Sequence, residues 1–281
     1  MKFGANTFIW TDSFGPEHFG ILPRLKEAGL DGIEIGMLSP TTFRSTEFRR
    51  ELEKNKLGCT TCAILPHGTS LISEDKEERR KARVHVEECL KVTADAGGTV
   101  VCGPLYSPVG FFTGARRTND DWKRAVESWQ ELAPVAAKTG VAVAIEPLNR
   151  FETYFLNTAA DAAQLCAEVG HPSVGILFDT FHANIEEKHV GHALRHAAKY
   201  VKHLHSCEND RGIPGTVHVN WPEFFSAVRD IGYDGWMVIE SFGFSLGGLS
   251  AAASIWRDLA PDPELIPFEG VKFLRKMTQA R

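Results

Sequence analysis

The sequence predicts one (β/α)8 barrel over residues 1–281, with its active site at the C-terminal ends of the strands. Three observations predict it. Eight strand-like apolar runs alternate with helical stretches, the pattern of a parallel sheet. Glycines fall between a helix and the next strand at Gly29, Gly58, Gly97, Gly140, Gly170 and Gly232, where a helix C-cap favours left-handed geometry. Four of the runs (VAVAIE, VGILFD, YVKHLH and GWMVIE) end in Glu146, Asp179, His205 and Glu240, one strand–helix unit apart. In a (β/α)8 barrel such residues converge on one face.

The elements follow in order. KFGANTFIW is the first strand, and a helix around Glu17–Ala28 leads to GLDGIEIG. A helix near Thr46–Lys56 precedes GCTTCAIL, and a charged amphipathic helix runs from about Glu74 to Ala96. Then come GTVVCG, a helix over Asp120–Lys138, and VAVAIE. Thr158–Val169 precedes VGILFD, Ile185–Ala198 precedes YVKHLH, and Trp221–Ile231 precedes GWMVIE, with helical material to about Met277. AGLDGIEI and IGYDGWMVIE share a G-x-D-G turn before an acid-bearing strand, a faint internal repeat. No linker or low-complexity tract divides the chain, so a single domain is expected.

Composition narrows the function. Hydrophobic content of 43% and charged content of 24% describe an ordinary globular protein. A net charge of −5 argues against nucleic acid or an anionic membrane as the partner. No apolar run approaches the ~18 residues that span a bilayer, and the N-terminus enters a strand without a signal-peptide core. Six cysteines in so long a chain suggest reduced thiols of a cytoplasmic protein. Cys59 and Cys62 form a CxxC, but on a strand they face opposite sides, which speaks against a redox pair.

Taken singly, an acid at a strand end caps the next helix and a histidine there is only hydrogen-bonded. Four ligand types at consecutive strand ends point instead to a divalent metal. An oxygen-rich Glu/Asp/His/Glu set suits Mn²⁺, Mg²⁺ or Co²⁺ better than Zn²⁺, and no nucleotide cofactor is expected. Two glutamates facing each other across a carbon next to a carbonyl allow proton removal on one face and delivery on the other. The loops after strands four, seven and eight (Gly103–Asp120, Ser206–Asn220 and Ser241–Gly248) are long. Phe111, Phe112, Phe242 and Phe244 in them are candidates for pocket walls, a lid or a subunit contact.

The C-terminal half resembles the ketose 3-epimerases, the D-tagatose/D-psicose and L-ribulose 3-epimerase group of the xylose isomerase-like barrels. The resemblance rests on IEPLNRFETYFLN (Ile145–Asn157), LFDTFHANIEE (Leu177–Glu187), HLHSCENDRGIPG (His203–Gly215) and GYDGWMVIESF (Gly232–Phe242). It implies that Glu146, Asp179, His205 and Glu240 hold the metal, Mn²⁺ first among the candidates. Glu146 and Glu240 would also exchange the C3 proton of a free ketose through a metal-stabilised cis-enediolate. Glu152, His182 and Arg211 would hold the O1–O3 end of the sugar, and the enzyme would be a homodimer or homotetramer.

The N-terminal half resembles the family less. Asn6 stands where members often have tyrosine, and ILPHGTSLISED departs from the family loop after strand three. There His67 is a candidate for facing the pocket, Trp10 and Phe14 for packing on the sugar, and Glu34 for partnering Arg211. An alternative within the superfamily is a hydroxypyruvate or inosose-type aldose–ketose isomerase on the same ligands. A DNA-repair endonuclease would need more His and acid ligands and a basic groove. A sugar-binding module would not need the paired glutamates.

Overall fold

A strand that is apolar along its whole length must be covered on both faces, which a ring of helices around a closed sheet achieves. The computed structural model describes residues 1–279. Its strands β1 (Lys2–Asn6), β2 (Gly32–Met37), β3 (Gly58–Ala63), β4 (Val100–Gly103), β5 (Ala142–Ile145), β6 (Val174–Asp179), β7 (Val201–His205) and β8 (Trp236–Ile239) close into a barrel in chain order. Every neighbouring pair is parallel, including β1 with β8.

The helices are α1 (Ile21–Glu27), α2 (Ser45–Asn55), α3 (Lys76–Asp95), α4 (Asn119–Thr139), α5 (Ala159–Val169), α6 (Thr180–Glu186), α7 (Val190–Ala197), α8 (Trp221–Asp230), α9 (Gly248–Ala252) and α10 (Leu265–Gln279). Side-chain caps fix several starts: Asp75 for α3, Thr118 with Asp121 for α4, Thr158 for α5 and Asn220 for α8. Among the described residues no helix is long and apolar enough to cross a membrane.

Two local expectations are corrected. The single helix expected over Ile185–Ala198 is two: α6 starts directly after β6, and α7 follows a short break. Asp179 caps α6, its Oδ1 accepting from the Phe181 amide at 2.7 Å. At the end of α2 the left-handed cap is Lys56 (φ 54°), not Gly58. Gly58 opens β3 beneath Trp236, where an added Cβ would lie 2.9 Å from the indole ring.

The main core lies between barrel and helices, with Leu22, Phe48, Leu90, Trp129, Leu165 and Phe224 fully or almost fully buried in it. The barrel interior carries a smaller apolar set, Cys62, Val100, Cys102, Ala144 and Leu177. Glu34, Thr60, His203 and His205 are also buried at 0–1% exposure. Barrel interiors are commonly filled by branched aliphatics, so a buried polar group inside this one needs a chemical reason.

Candidate metal centre and substrate pocket

The four strand-end residues meet. Asp179 and His205 end β6 and β7 and are register partners. Glu146 and Glu240 directly follow β5 and β8, and the Glu146 amide still donates to the Gly103 carbonyl at 3.1 Å. One ligand atom of each residue lies within 4.8 Å of the others, and all four residues are buried. His205 Nδ1 stands 3.6 Å from Asp179 Oδ2 and 3.5 Å from Glu240 Oε2.

Arg211 closes the cluster from the β7–α8 loop, with a left-handed backbone (φ 65°). Its Nη1 donates to Asp179 Oδ2 and Glu240 Oε2, both at 2.8 Å, and its guanidinium carbon lies 4.0 Å from the centre of the Phe181 ring. Ser241 Oγ holds the Arg211 carbonyl at 2.7 Å.

Burial and neighbouring charges move the four groups in different directions. Burial, and then the Glu240 charge, push the Glu146 carboxyl well above the ordinary range. Burial acts the same way on Glu240, but His205 and Arg211 outweigh it and bring that carboxyl down. Asp179 is likewise held below its usual value against burial, by Arg211 first and His205 next. Burial works against a proton on His205, yet Glu34 and Glu240 raise its pKa well above normal. Three carboxylates face one guanidinium, while Glu146 Oε1 and His205 Nδ1 are buried without a hydrogen-bond partner. Such atoms are costly unless something completes them. The donor set, three carboxylates and one imidazole nitrogen, fits a divalent cation with oxygen preference.

Above the cluster, His182 Nδ1 accepts from the Asn149 amide at 3.0 Å, and its Nε2 stands 3.5 Å from Glu146 Oε1 and 3.3 Å from Arg211 Nη2. Burial lowers the His182 pKa and keeps the ring neutral. Asn149 Nδ2 also donates to Glu152 Oε1 at 2.8 Å, aligning that carboxylate beside the pocket. Glu146, Glu152, His182, Arg211 and Glu240 line one end of the pocket. Its remaining lining is Phe8, Leu38, Cys62, Ile64, Pro104, Val109, Leu148, Phe242, Leu249, Ala252 and Ala253, a wall of apolar side chains and one thiol.

A sequence model of the xylose isomerase-like TIM barrel family matches residues 22–277. A probable ketose 3-epimerase of Synechocystis sp. is 36% identical over 99% of this chain and 97% of its own. The chain belongs to the ketose 3-epimerase family. A D-psicose 3-epimerase of Ruminiclostridium cellulolyticum is 34% identical over 92% of this chain and 90% of its own. The crystal structure of a D-allulose 3-epimerase from Methylomonas sp. in complex with D-allulose superposes with a TM-score of 0.94, at 26% identity, covering 99% of this chain and 97% of that one. Enzymes with such names are sugar isomerases, and this member of the family is an isomerase-class enzyme.

Several candidates from the N-terminal half lie elsewhere in this family member. His67 is exposed and lines a separate cleft with Glu78, Asp121 and Arg124. Trp10 is half-buried against the core and lines no part of the site pocket. Phe14 is buried edge-on against Phe48. Phe112 is 48% exposed and Phe111 45%; neither lines the site pocket, Phe244 packs on the core, and only Phe242 of the four is a wall. Glu34 does not reach Arg211. It lies inside β2, bonded to His205 and His203, and Asn6 contacts Glu34 rather than the pocket.

Other residues were not singled out from the sequence. Asn149 orients both His182 and Glu152. Glu208 is fully buried and accepts from Gly215 N, Val219 N and Trp221 Nε1, folding the loop that carries Arg211. Thiols of Cys62 and Cys207 lie 3.7 Å from Glu240 Oε1 and 3.6 Å from Asp179 Oδ2. Asn149 and Glu208 stand inside the motifs IEPLN and SCEND, but short spacing does not say which polar residue of a motif turns inward.

Proposed function

We propose that the protein is a divalent-metal-dependent epimerase that inverts C3 of a free ketose, and that the whole chain is one domain serving that site. The observation that carries this reading is the placement of Glu146 and Glu240. They come from β5 and β8, separated around the barrel by β6 and β7, yet their carboxylates meet at the floor of one pocket. Membership of the ketose 3-epimerase family supports the same reaction.

Glu146, Asp179, His205 and Glu240 would hold the cation, with Mn²⁺ preferred and Co²⁺ or Mg²⁺ as substitutes. When bound, it supplies Lewis-acid charge against the oxyanion that develops beside the reacting carbon. Glu152, His182 and Arg211 bind the O1–O3 end of the ketose and fix C3 between the two glutamates. One glutamate takes the C3 proton, the electron pair delocalises into the adjacent carbonyl as a cis-enediolate, and the other glutamate returns a proton to the opposite face. Their roles exchange in the reverse direction. The apolar wall gives the distal end of the sugar no side-chain hydrogen bonds beyond those at C1–C3.

Six free, buried cysteines fit a reducing, cytoplasmic setting. Exposed Phe151 and Trp256 (73% and 77%) fit a homodimer or homotetramer, which light scattering of the purified protein would test. The reaction itself is tested by incubating Mn²⁺-loaded protein with fructose, psicose, tagatose, sorbose, ribulose and xylulose in D₂O. C3 epimers carrying deuterium at C3 are expected. Aldose products, or deuterium at C1, would replace this reading with an aldose–ketose isomerase.

A further inference from the structure

We infer that Glu34 is the positioning residue of the metal centre, holding His205 in the tautomer that offers Nδ1 to the cation. This rests on the metal reading above. Asn6, Glu34 and Thr60 are register neighbours across β1, β2 and β3 and point into the barrel as one layer. Asn6 Nδ2 donates to Glu34 Oε1 at 2.9 Å and Thr60 Oγ1 donates to Oε2 at 2.8 Å. The amide orientation of Asn6 is set by its own Oδ1, which accepts from the Phe8 amide at 2.9 Å. From the opposite side of the lumen, β7 brings His205 Nε2 to 2.8 Å from Oε1 and His203 Nε2 to 2.7 Å from Oε2.

A carboxylate surrounded by donors can only accept, so the ring nitrogens that face it carry the protons. With Nε2 committed to Glu34, Nδ1 is the His205 nitrogen left to a cation. That atom is buried, has no hydrogen-bond partner, and faces Asp179 and Glu240. The opposite tautomer would set a lone pair against Glu34 and a proton against the cation. A carboxylate behind a ligating histidine fixes ring orientation and raises ligand basicity, and its loss costs about 10–100-fold in metal affinity.

Glu34, Cys102, His203 and His205 also lie close enough to be read as a second metal site. Their hydrogen bonds say otherwise. Both imidazoles already spend Nε2 on Glu34, whose two oxygens are filled by Asn6, Thr60 and the two rings. The cluster is the support of the first site.

The experiment uses the full chain labelled with ¹⁵N-histidine. Long-range ¹H–¹⁵N spectra should show His205 Nε2 protonated in the wild type, and Zn²⁺ as a diamagnetic probe should bind Nδ1 while that proton stays on Nε2. Calorimetry with Mn²⁺ should give one ion per chain, bound about 10–100-fold more weakly by Glu34→Gln. Thr60→Val keeps the carboxylate and should keep the wild-type tautomer with a smaller loss. A bare Nε2, Zn²⁺ bound at Nε2, two ions per chain, or a folded Glu34→Gln with wild-type affinity would each overturn the inference. A wild type that binds no Mn²⁺ would sink the metal reading, while a bare Nε2 in its spectra would separately overturn the role of Glu34. If Glu34→Gln does not fold, the wild-type spectra and Thr60→Val decide alone.

Discussion

Glu208 lies outside the cluster of candidate ligands, yet the position of Arg211 depends on it. Its Oε2 accepts from Gly215 N at 2.8 Å and Trp221 Nε1 at 2.9 Å, and its Oε1 from Val219 N at 2.9 Å. Its carbonyl accepts from the Arg211 amide at 3.0 Å. Glu208→Gln replaces one of these oxygens with an NH₂ that faces donors. Hydrogen bonds to a charged acceptor contribute about 1.5–3 kcal/mol each, and with one lost the substitution should cost about 1.5–3 kcal/mol. In urea this corresponds to a midpoint lower by about 1 M for m-values near the upper end of the small-protein range. The loop also carries the guanidinium into the site, and a displacement of about 1 Å there is enough for about a 100-fold loss in kcat/KM. Equilibrium urea unfolding and steady-state epimerisation of Mn²⁺-loaded protein read both effects. A Glu208→Gln variant with the wild-type midpoint and wild-type kcat/KM would refute this account of the loop.

Four further outcomes are expected. Glu146→Gln and Glu240→Gln should each lower turnover by about 10²–10⁴-fold and remove deuterium incorporation at C3, read by proton NMR. Ketoses that differ only beyond C3 should be separated by no more than about 10–200-fold in kcat/KM, because an apolar wall cannot reject an isostere strongly; larger discrimination would mean an unrecognised polar contact there. All six cysteines are free and buried; burial pushes Cys59 up to about 12, and in Cys62 a hydrogen bond with Cys102 lowers the thiol pKa but burial and the Glu240 and Glu34 charges outweigh it and push it up to about 11. A disulfide reagent at pH 8 should therefore label none in the native protein and all six after unfolding. Glu186 holds Arg150 through Nε and Nη2, both at 2.9 Å; burial opposes its charge, but Arg150 brings its carboxyl below the ordinary value. That stabilisation is present above the unfolded pKa and lost as pH falls through the lower folded one. The gap in urea midpoint between wild type and Glu186→Gln should therefore close below about pH 4.

The barrel and its four candidate ligands were legible in the chain because their signals are local. An apolar run that ends in an acid or a histidine, repeated at the length of one strand–helix unit, places one side chain per unit on the same face. Parallel order in a closed barrel then follows from sequence order, with no long-range choice to make. Glu152, His182 and Arg211 came from motif resemblance and do stand beside the cluster. The break between α6 and α7 and the left-handed Lys56 were not foreseen, since both depend on how the chain leaves a strand or meets Trp236.

His67, Trp10, Phe14 and Phe112 were misplaced for a related reason: a loop of mixed composition does not say which way it turns. Glu34 was recognised as a residue of interest but given the wrong partner. Whether it meets Arg211 or His205 is set by its depth in the barrel, through the registers of β1, β2 and β3 on one side and β7 on the other. Local periodicity and residue chemistry therefore decided the architecture and the candidate ligand set of this protein. Which donors face each carboxylate, which imidazole nitrogen faces Asp179 and Glu240, and how Glu208 carries Arg211 into the site were decided only by strand register and loop closure. Hydrogen bonds act over about 3 Å, and contacts between residues more than a hundred positions apart in the chain are set at that range only once the barrel has closed.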